Sequence, residues 1–185
     1  RLLSFTLLNL RIASSFRHRS CGRAERAQFQ WSECYLPPLG VDLLLSEASF
    51  LMSHDSATGY IKARKKSKVG LVWPYAKNQV GNVYQQLDAG ARALDLRVKL
   101  LTNGSLGFHH GVVTIPVLFE TLLQDAIQWC SHNPDELVLL LPSHIEYGNV
   151  YYQADDGEDG SIVTKMATLY EKYGVAYLKC SDVYG

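Results

Sequence analysis

The chain has 185 residues, 47% hydrophobic and 19% charged, enough apolar residues for one ordinary folded domain and too many for a disordered or fibrous chain. Lys plus Arg and Asp plus Glu balance at 18 each, so no net field recruits nucleic acid or another polyanion. The four cysteines, Cys21, Cys34, Cys130 and Cys180, are scattered without a C-x-x-C pair, which argues against a zinc site.

The apolar run from Leu2 to Leu10 ends at Arg11, less than half of the roughly 20 residues that span a bilayer, so no transmembrane segment is expected there. A secretory signal lacks a convincing cleavage site, and residues 1–45 read as a leader of uncertain order. Cys21 and Cys34 could bridge in an oxidising compartment, whereas Cys130, on an apolar helical stretch, reads as a buried free thiol.

From Ser46 onward the sequence is periodic. Ala48–Ser53 is a short apolar run leading into His54-Asp55-Ser56. The basic run Lys62–Lys68 that follows invites two readings, a patch that steers toward anionic headgroups or a solvated loop. The spacing of Val80, Val83, Tyr84 and Leu87 predicts a helix over 79–89, closed by Gly90. Arg92–Leu100 alternates Ala93, Asp95 and Arg97 with Leu94, Leu96 and Val98, as a strand does. A second strand, Ser105–His109, follows the turn Thr102-Asn103-Gly104.

Val117–Cys130 reads as an amphipathic helix with Leu118, Leu122, Ala126 and Trp129 near one face, stopped by Asn133-Pro134. Leu137–Leu141 has the unbroken apolar character of a buried parallel strand. The acidic stretch Asp155–Asp159 suits the approach to a helix over 162–173, and it lacks EF-hand spacing. Val175–Leu178 would be a further strand. Strand alternating with helix implies an α/β fold with a parallel sheet. A complete (β/α)₈ barrel of the TIM type needs about 250 residues, so residues 46–185 are expected to supply about its first half.

Chemistry is concentrated where strands are expected to end, at His54-Asp55, Asp95-Leu96-Arg97 and His109-His110-Gly111. In parallel α/β folds those ends form the active face. Two histidines and an arginine suit phosphoryl transfer: one imidazole takes a proton from the nucleophile, the other protonates the leaving oxygen, and the guanidinium meets the phosphoryl charge. Against this, a lone strand-end histidine is more often structural, and Asp95 with Arg97 could equally be a buried ion pair.

Residues 51–58 (LMSHDSAT), 86–97 (QLDAGARALDLR), 108–111 (FHHG) and 133–136 (NPDE) resemble, in order and spacing, the X domain of phosphatidylinositol-specific phospholipase C. The resemblance runs from about Ser46 to Leu141. It implies a metal-independent phosphodiesterase with His54 as general base, His110 as general acid with Asp55 beside it, and Arg97 on the phosphate. It also implies a phospholipid substrate at a membrane surface, a secreted or peripheral location and no cofactor. Asp95, His109 and His144 are expected substrate contacts. Metal-dependent relatives resemble one another in an acidic residue where Arg97 stands, so a guanidinium there favours metal-free chemistry. The chain departs from the bacterial members at Pro142-Ser143-His144, where they carry lysine, and that leaves the headgroup open. The carboxylate that orients the first histidine is expected beyond residue 185. A lipid- or protein-binding barrel without catalysis is the alternative, and nothing in the sequence fixes the oligomeric state.

Overall fold

The computed structural model describes residues 2–4, 11–12, 43–44, 50–62, 73–134, 136–147, 150–151 and 161–177. In chain order the strands are β1 (Leu2–Ser4), β2 (Arg11–Ile12), β3 (Leu43–Leu44), β4 (Met52–Ser53), β5 (Ala93–Leu100), β6 (Leu106–His110), β7 (Val113–Ile115), β8 (Val138–Tyr147), β9 (Val150–Tyr151) and β10 (Ala176–Tyr177). The helices are α1 (Trp73–Ala76), α2 (Val83–Asp88), α3 (Phe119–His132) and α4 (Ser161–Lys172), and a 3-10 helix, Ser56–Tyr60, follows β4.

β5 is the axis of the sheet. On one side it pairs in parallel with β8 from Ala93↔Leu139 to Leu100↔Tyr147. On its other side two strands share one edge: β4 runs parallel at Met52↔Ala93 and Ser53↔Leu94, and β6 runs antiparallel from Val98↔Phe108 to Leu100↔Leu106. A short gap beside Asp95, Leu96 and Arg97 separates them. β7 extends the sheet beyond β6, and β1 lies parallel between β8 and β10. β9 folds back on β8, while β2 and β3 form a separate antiparallel pair.

The α/β character is as expected, but the all-parallel sheet is not. β5 and β6 are joined by Leu101–Ser105, and a parallel crossover needs a dozen or more residues. The chain must therefore turn back as a hairpin. Gly104, at φ +78°, sits in that turn, and its amide donates to the Leu101 carbonyl at 2.9 Å.

Leu94, Leu96 and Val98 of β5, with Phe108, Val138 and Leu140, face the helices in one core. α3 brings Phe119, Leu122, Leu123, Ala126 and Trp129 to it, and α4 brings Ile162, Met166 and Tyr170. Phe108 stacks on Phe119 with ring centroids 5.6 Å apart. Each such buried side chain contributes about 1.5–3 kcal/mol. Leu118, expected on the buried face, is instead the exposed N-cap of α3, and Phe119 takes that place. On the other face of the sheet, a smaller cluster of Ala93, Leu137 and Leu139 gives way to Asp95, Arg97 and Lys99. Cys130 is a half-buried free thiol, and burial pushes it up to about 11.

α2 starts later than its periodicity suggests because Asn82 caps it. The Asn82 side chain accepts from the Gln85 amide at 3.0 Å, and Gln85 Oε1 accepts from the Asn82 amide at 3.1 Å. Residues 77–82 are thereby freed to run as a strap over the 3-10 helix. The approach is close enough that a Cβ on Gly59 would lie 1.7 Å from the Gly81 carbonyl oxygen, so only glycine fits.

Candidate active site

The gap on the edge of β5 is where the functional side chains meet. β4 delivers His54 and Asp55 from one end. Asp55 takes a left-handed backbone, φ 49° and ψ 51°, as it turns the chain into the 3-10 helix. β5 presents Asp95 and Arg97 two residues apart, hence on one face. Because β6 runs antiparallel, its last residue, His110, returns toward the middle of β5. The three segments converge as the sequence suggests, but through opposed strands rather than through strand ends of one polarity.

Asp55 is the hub, with a side chain only 1% exposed. Its Oδ2 lies 3.2 Å from His54 Nε2, 3.3 Å from His110 Nε2 and 2.6 Å from Asn78 Nδ2, which donates to it. Its Oδ1 forms an ion pair with Arg97 Nε at 2.5 Å. Arg97 Nη2 in turn lies 3.3 Å from His54 Nε2. The ring partners assign the protons. His54 Nδ1 faces Asp95 Oδ2 at 3.0 Å and carries its hydrogen there. That leaves Nε2 as the exchangeable nitrogen, meeting Asp55 when protonated and the Arg97 guanidinium when not. His110 Nδ1 faces the Ala76 carbonyl at 3.2 Å, so its Nε2 is likewise the nitrogen free to give a proton. His54 is the open member of the pair, with its side chain 56% exposed.

Asp95 accepts from Ser143 Oγ at 2.5 Å on Oδ1 and from the Asp55 amide at 3.1 Å on Oδ2. Burial alone pushes its carboxyl up. The hydrogen bonds from Ser143 and Asp55 and the nearby charges of Arg97 and His54 outweigh that, so it lies below the usual carboxylate range. A depressed carboxyl stabilises the fold above its unfolded value, near 3.8, and that contribution is lost as pH falls through the folded value. Ser143→Ala is therefore expected to lower the urea midpoint at neutral pH, with the gap to wild type closing as the solution is acidified. A gap that stays constant with pH would mean that Ser143 acts through packing alone.

The strap is stitched to this cluster. Thr58 Oγ1 donates to the Asp55 carbonyl at 2.8 Å and accepts from the amides of Asn78 at 3.1 Å and Gln79 at 3.2 Å. Gln79 Nε2 donates to the His54 carbonyl at 2.7 Å. None of these strap residues stands out in the sequence by composition; only the cap at Asn82, which forces 77–82 out of the helix, could have pointed to them.

The three expected substrate contacts are placed differently from one another. Asp95 is buried and committed to His54, Ser143 and the Asp55 amide. His109, next to His110 on β6, is taken up by partners on β8 rather than by the Asp55 cluster. It is 3% exposed, its Nε2 lies 2.6 Å from the His144 carbonyl, and its Nδ1 lies 3.0 Å from Glu146 Oε2, while Glu146 Oε1 forms a buried ion pair with Lys99 Nζ at 3.0 Å. His144 has an exposed side chain and φ 44°, at the bulge where the register of β8 against β5 shifts, and its imidazole makes none of the cluster's contacts. Ser143, paired with Arg97 across the sheet, is the β8 residue that reaches the site. Apart from Lys62, the basic run Lys62–Lys68 lies outside the described residues, as does Asp155–Asp159.

His54, Asp55 and Asp95 offer ligand atoms within 4.8 Å of one another, the one such grouping among the described residues. Arg97 Nε, 2.5 Å from Asp55 and 3.6 Å from Asp95, already places a fixed positive charge among these oxygens. A dication there would meet that charge at close range.

No protein-family model matches the chain. It is 32% identical over 123 residues to a PI-PLC X-box domain-containing protein of Dictyostelium discoideum, covering 62% of this chain and 15% of that protein. It is 29% identical over 157 residues to human PI-PLC X domain-containing protein 1, covering 72% and 46%. To the 1-phosphatidylinositol phosphodiesterase of Listeria monocytogenes it is 31% identical over 70 residues, covering 38% and 21%. The chain thus spans less than half the length of each of these relatives. A solved Staphylococcus aureus phosphatidylinositol-specific phospholipase C shares the fold at a TM-score of 0.53 and 22% identity, over 69% of this chain and 40% of that one. Over the part that they match, the chain is similar to proteins named for a phosphatidylinositol-specific phospholipase C X domain, and it shares the fold of the bacterial enzyme.

Proposed function

We propose that this site cleaves a phosphodiester, in phosphatidylinositol or a related phospholipid at a membrane surface, by acid-base catalysis between two histidines without a metal. The observation that carries the reading is the convergence of His54 Nε2 and His110 Nε2 on one Asp55 oxygen, at 3.2 and 3.3 Å, beside the Arg97 guanidinium. His54 takes the proton of a hydroxyl neighbouring the phosphate. That oxygen bonds to phosphorus, the bond from phosphorus to the glycerol oxygen breaks, and His110 gives the leaving oxygen its proton. The products are a cyclic phosphate and diacylglycerol. Arg97 holds the phosphoryl oxygens, and its fixed charge does the work that a cation would do.

The matched Staphylococcus aureus fold supports reading the mixed sheet as the first part of a closed TIM-type barrel, with β4 and β5 on the wall that carries the site. A surface-bound or secreted protein fits a lipid substrate, and among the described residues no helix is long and apolar enough to cross a membrane. The test is release of cyclic inositol phosphate from phosphatidylinositol vesicles by the full-length protein. Turnover that persists in EDTA is the expected result. Turnover abolished by EDTA would overturn the metal-free mechanism, and vesicle binding without turnover on any phospholipid would show a binding barrel instead.

A further inference from the structure

We propose that Asn78 is a positioning residue that acts through Asp55 on the proton His110 delivers, an inference that rests on the phosphodiesterase reading above. Asn78 Nδ2 donates to Asp55 Oδ2 at 2.6 Å, the shortest contact that oxygen makes, and it is the same oxygen that faces both imidazoles. The opposite oxygen is taken by Arg97. A carboxylate can rotate about its Cβ–Cγ bond, and one that rotated here would offer His110 no fixed acceptor. The Asn78 amide, itself anchored through its backbone N–H on Thr58, closes that freedom. Because the amide is neutral and a donor only on this side, it fixes the carboxylate's orientation without competing for the imidazolium proton.

The same strap fixes the His110 ring from behind. Two residues before Asn78, the Ala76 carbonyl lies 3.2 Å from His110 Nδ1. One short stretch of chain therefore sets both which His110 nitrogen carries the transferable proton and where the carboxylate that steadies it points. Asn78 itself is an exposed residue, so its side chain is not needed to fill the core.

The leaving group separates this role from a structural one. An alkoxide leaving from phosphatidylinositol needs the acid's proton; a nitrophenolate leaving from an inositol nitrophenyl phosphodiester does not. With the full-length protein, Asn78→Leu and Asn78→Asp are expected to lower kcat on phosphatidylinositol by about 10–100-fold, the worth of one hydrogen bond to a charged group. On the nitrophenyl ester the loss should be within about threefold, KM should hold on both, and Asn78→Gln, which keeps the amide, should recover most of the rate. Equal losses on the two esters, or no loss on either, with an active wild type would overturn the assignment of Asn78 alone. A wild type silent on both esters would overturn the phosphodiesterase reading and this inference with it.

Discussion

Alanine in place of His54 or His110 is expected to lower kcat on phosphatidylinositol by about 10²–10⁴-fold each, with KM little changed. In the proposed mechanism each ring would meet substrate through Nε2, since Nδ1 faces Asp95 Oδ2 at 3.0 Å in one case and the Ala76 carbonyl at 3.2 Å in the other. Removing either ring takes away a proton transfer but leaves the Arg97 charge, so substrate binding should persist. The double variant should be scarcely worse than the worse single one, because the two rings act within one displacement. The two variants also separate by leaving group: a nitrophenyl ester should restore His110→Ala and leave His54→Ala impaired. Steady-state rates on both esters check this, and equal rescue of both variants would mean that the acid and base roles are misassigned.

The largest loss of stability is expected at a pair remote from the chemistry. Arg92 is 1% exposed and its Nε meets Glu136 Oε2 at 2.8 Å, also buried. Its Nη1 donates to the carbonyls of Leu87 and Ala91 at 2.8 and 2.7 Å, satisfying the end of α2, and its guanidinium lies 4.5 Å from the Trp129 ring centroid. Glu136→Ala would strand that charge and should cost about 3–5 kcal/mol, a large share of the 5–15 kcal/mol that a domain of this size has in all. Replacing both partners, Arg92→Met with Glu136→Leu, should cost much less than either single change, since burying two charges is itself expensive. Urea unfolding of the two single variants and the double one closes the cycle. Additive losses would show that the pair is not coupled.

Much of this was legible in the sequence. The cores of α2, α3, α4 and β5 were set by apolar spacing, and the motifs around His54, Arg97 and His110 named the side chains that now meet at Asp55. Three things were not. The reversal of β6 was concealed by the expectation of a parallel sheet, although five connecting residues already forbade a crossover. β8 was expected over the apolar run Leu137–Leu141, yet paired through β5 it continues to Tyr147, with Ser143 in register opposite Arg97 and the register shifting just after it. The strap contacts of Asn78 and Gln79 depend on a close approach at Gly59 that no local pattern announces. Asp95 is the instructive case. Periodicity put it on the right face, but only the fold shows it holding His54, the task that had been expected of a carboxylate beyond residue 185.

The break in the edge of β5 acts as a ruler. The two histidines arrive from strands of opposite direction that abut the same edge, so the distance between them follows the number of β5 residues that lie between the two pairings. One residue added to β5 between Leu94 and Val98 would move them apart by about 3.3 Å and flip Arg97 to the far face. The turn between β5 and β6, 101–105, carries no such constraint. Its length and chemistry can drift while the spacing of His54 and His110 stays fixed, which is how one frame of side chains can be kept through divergence of a loop.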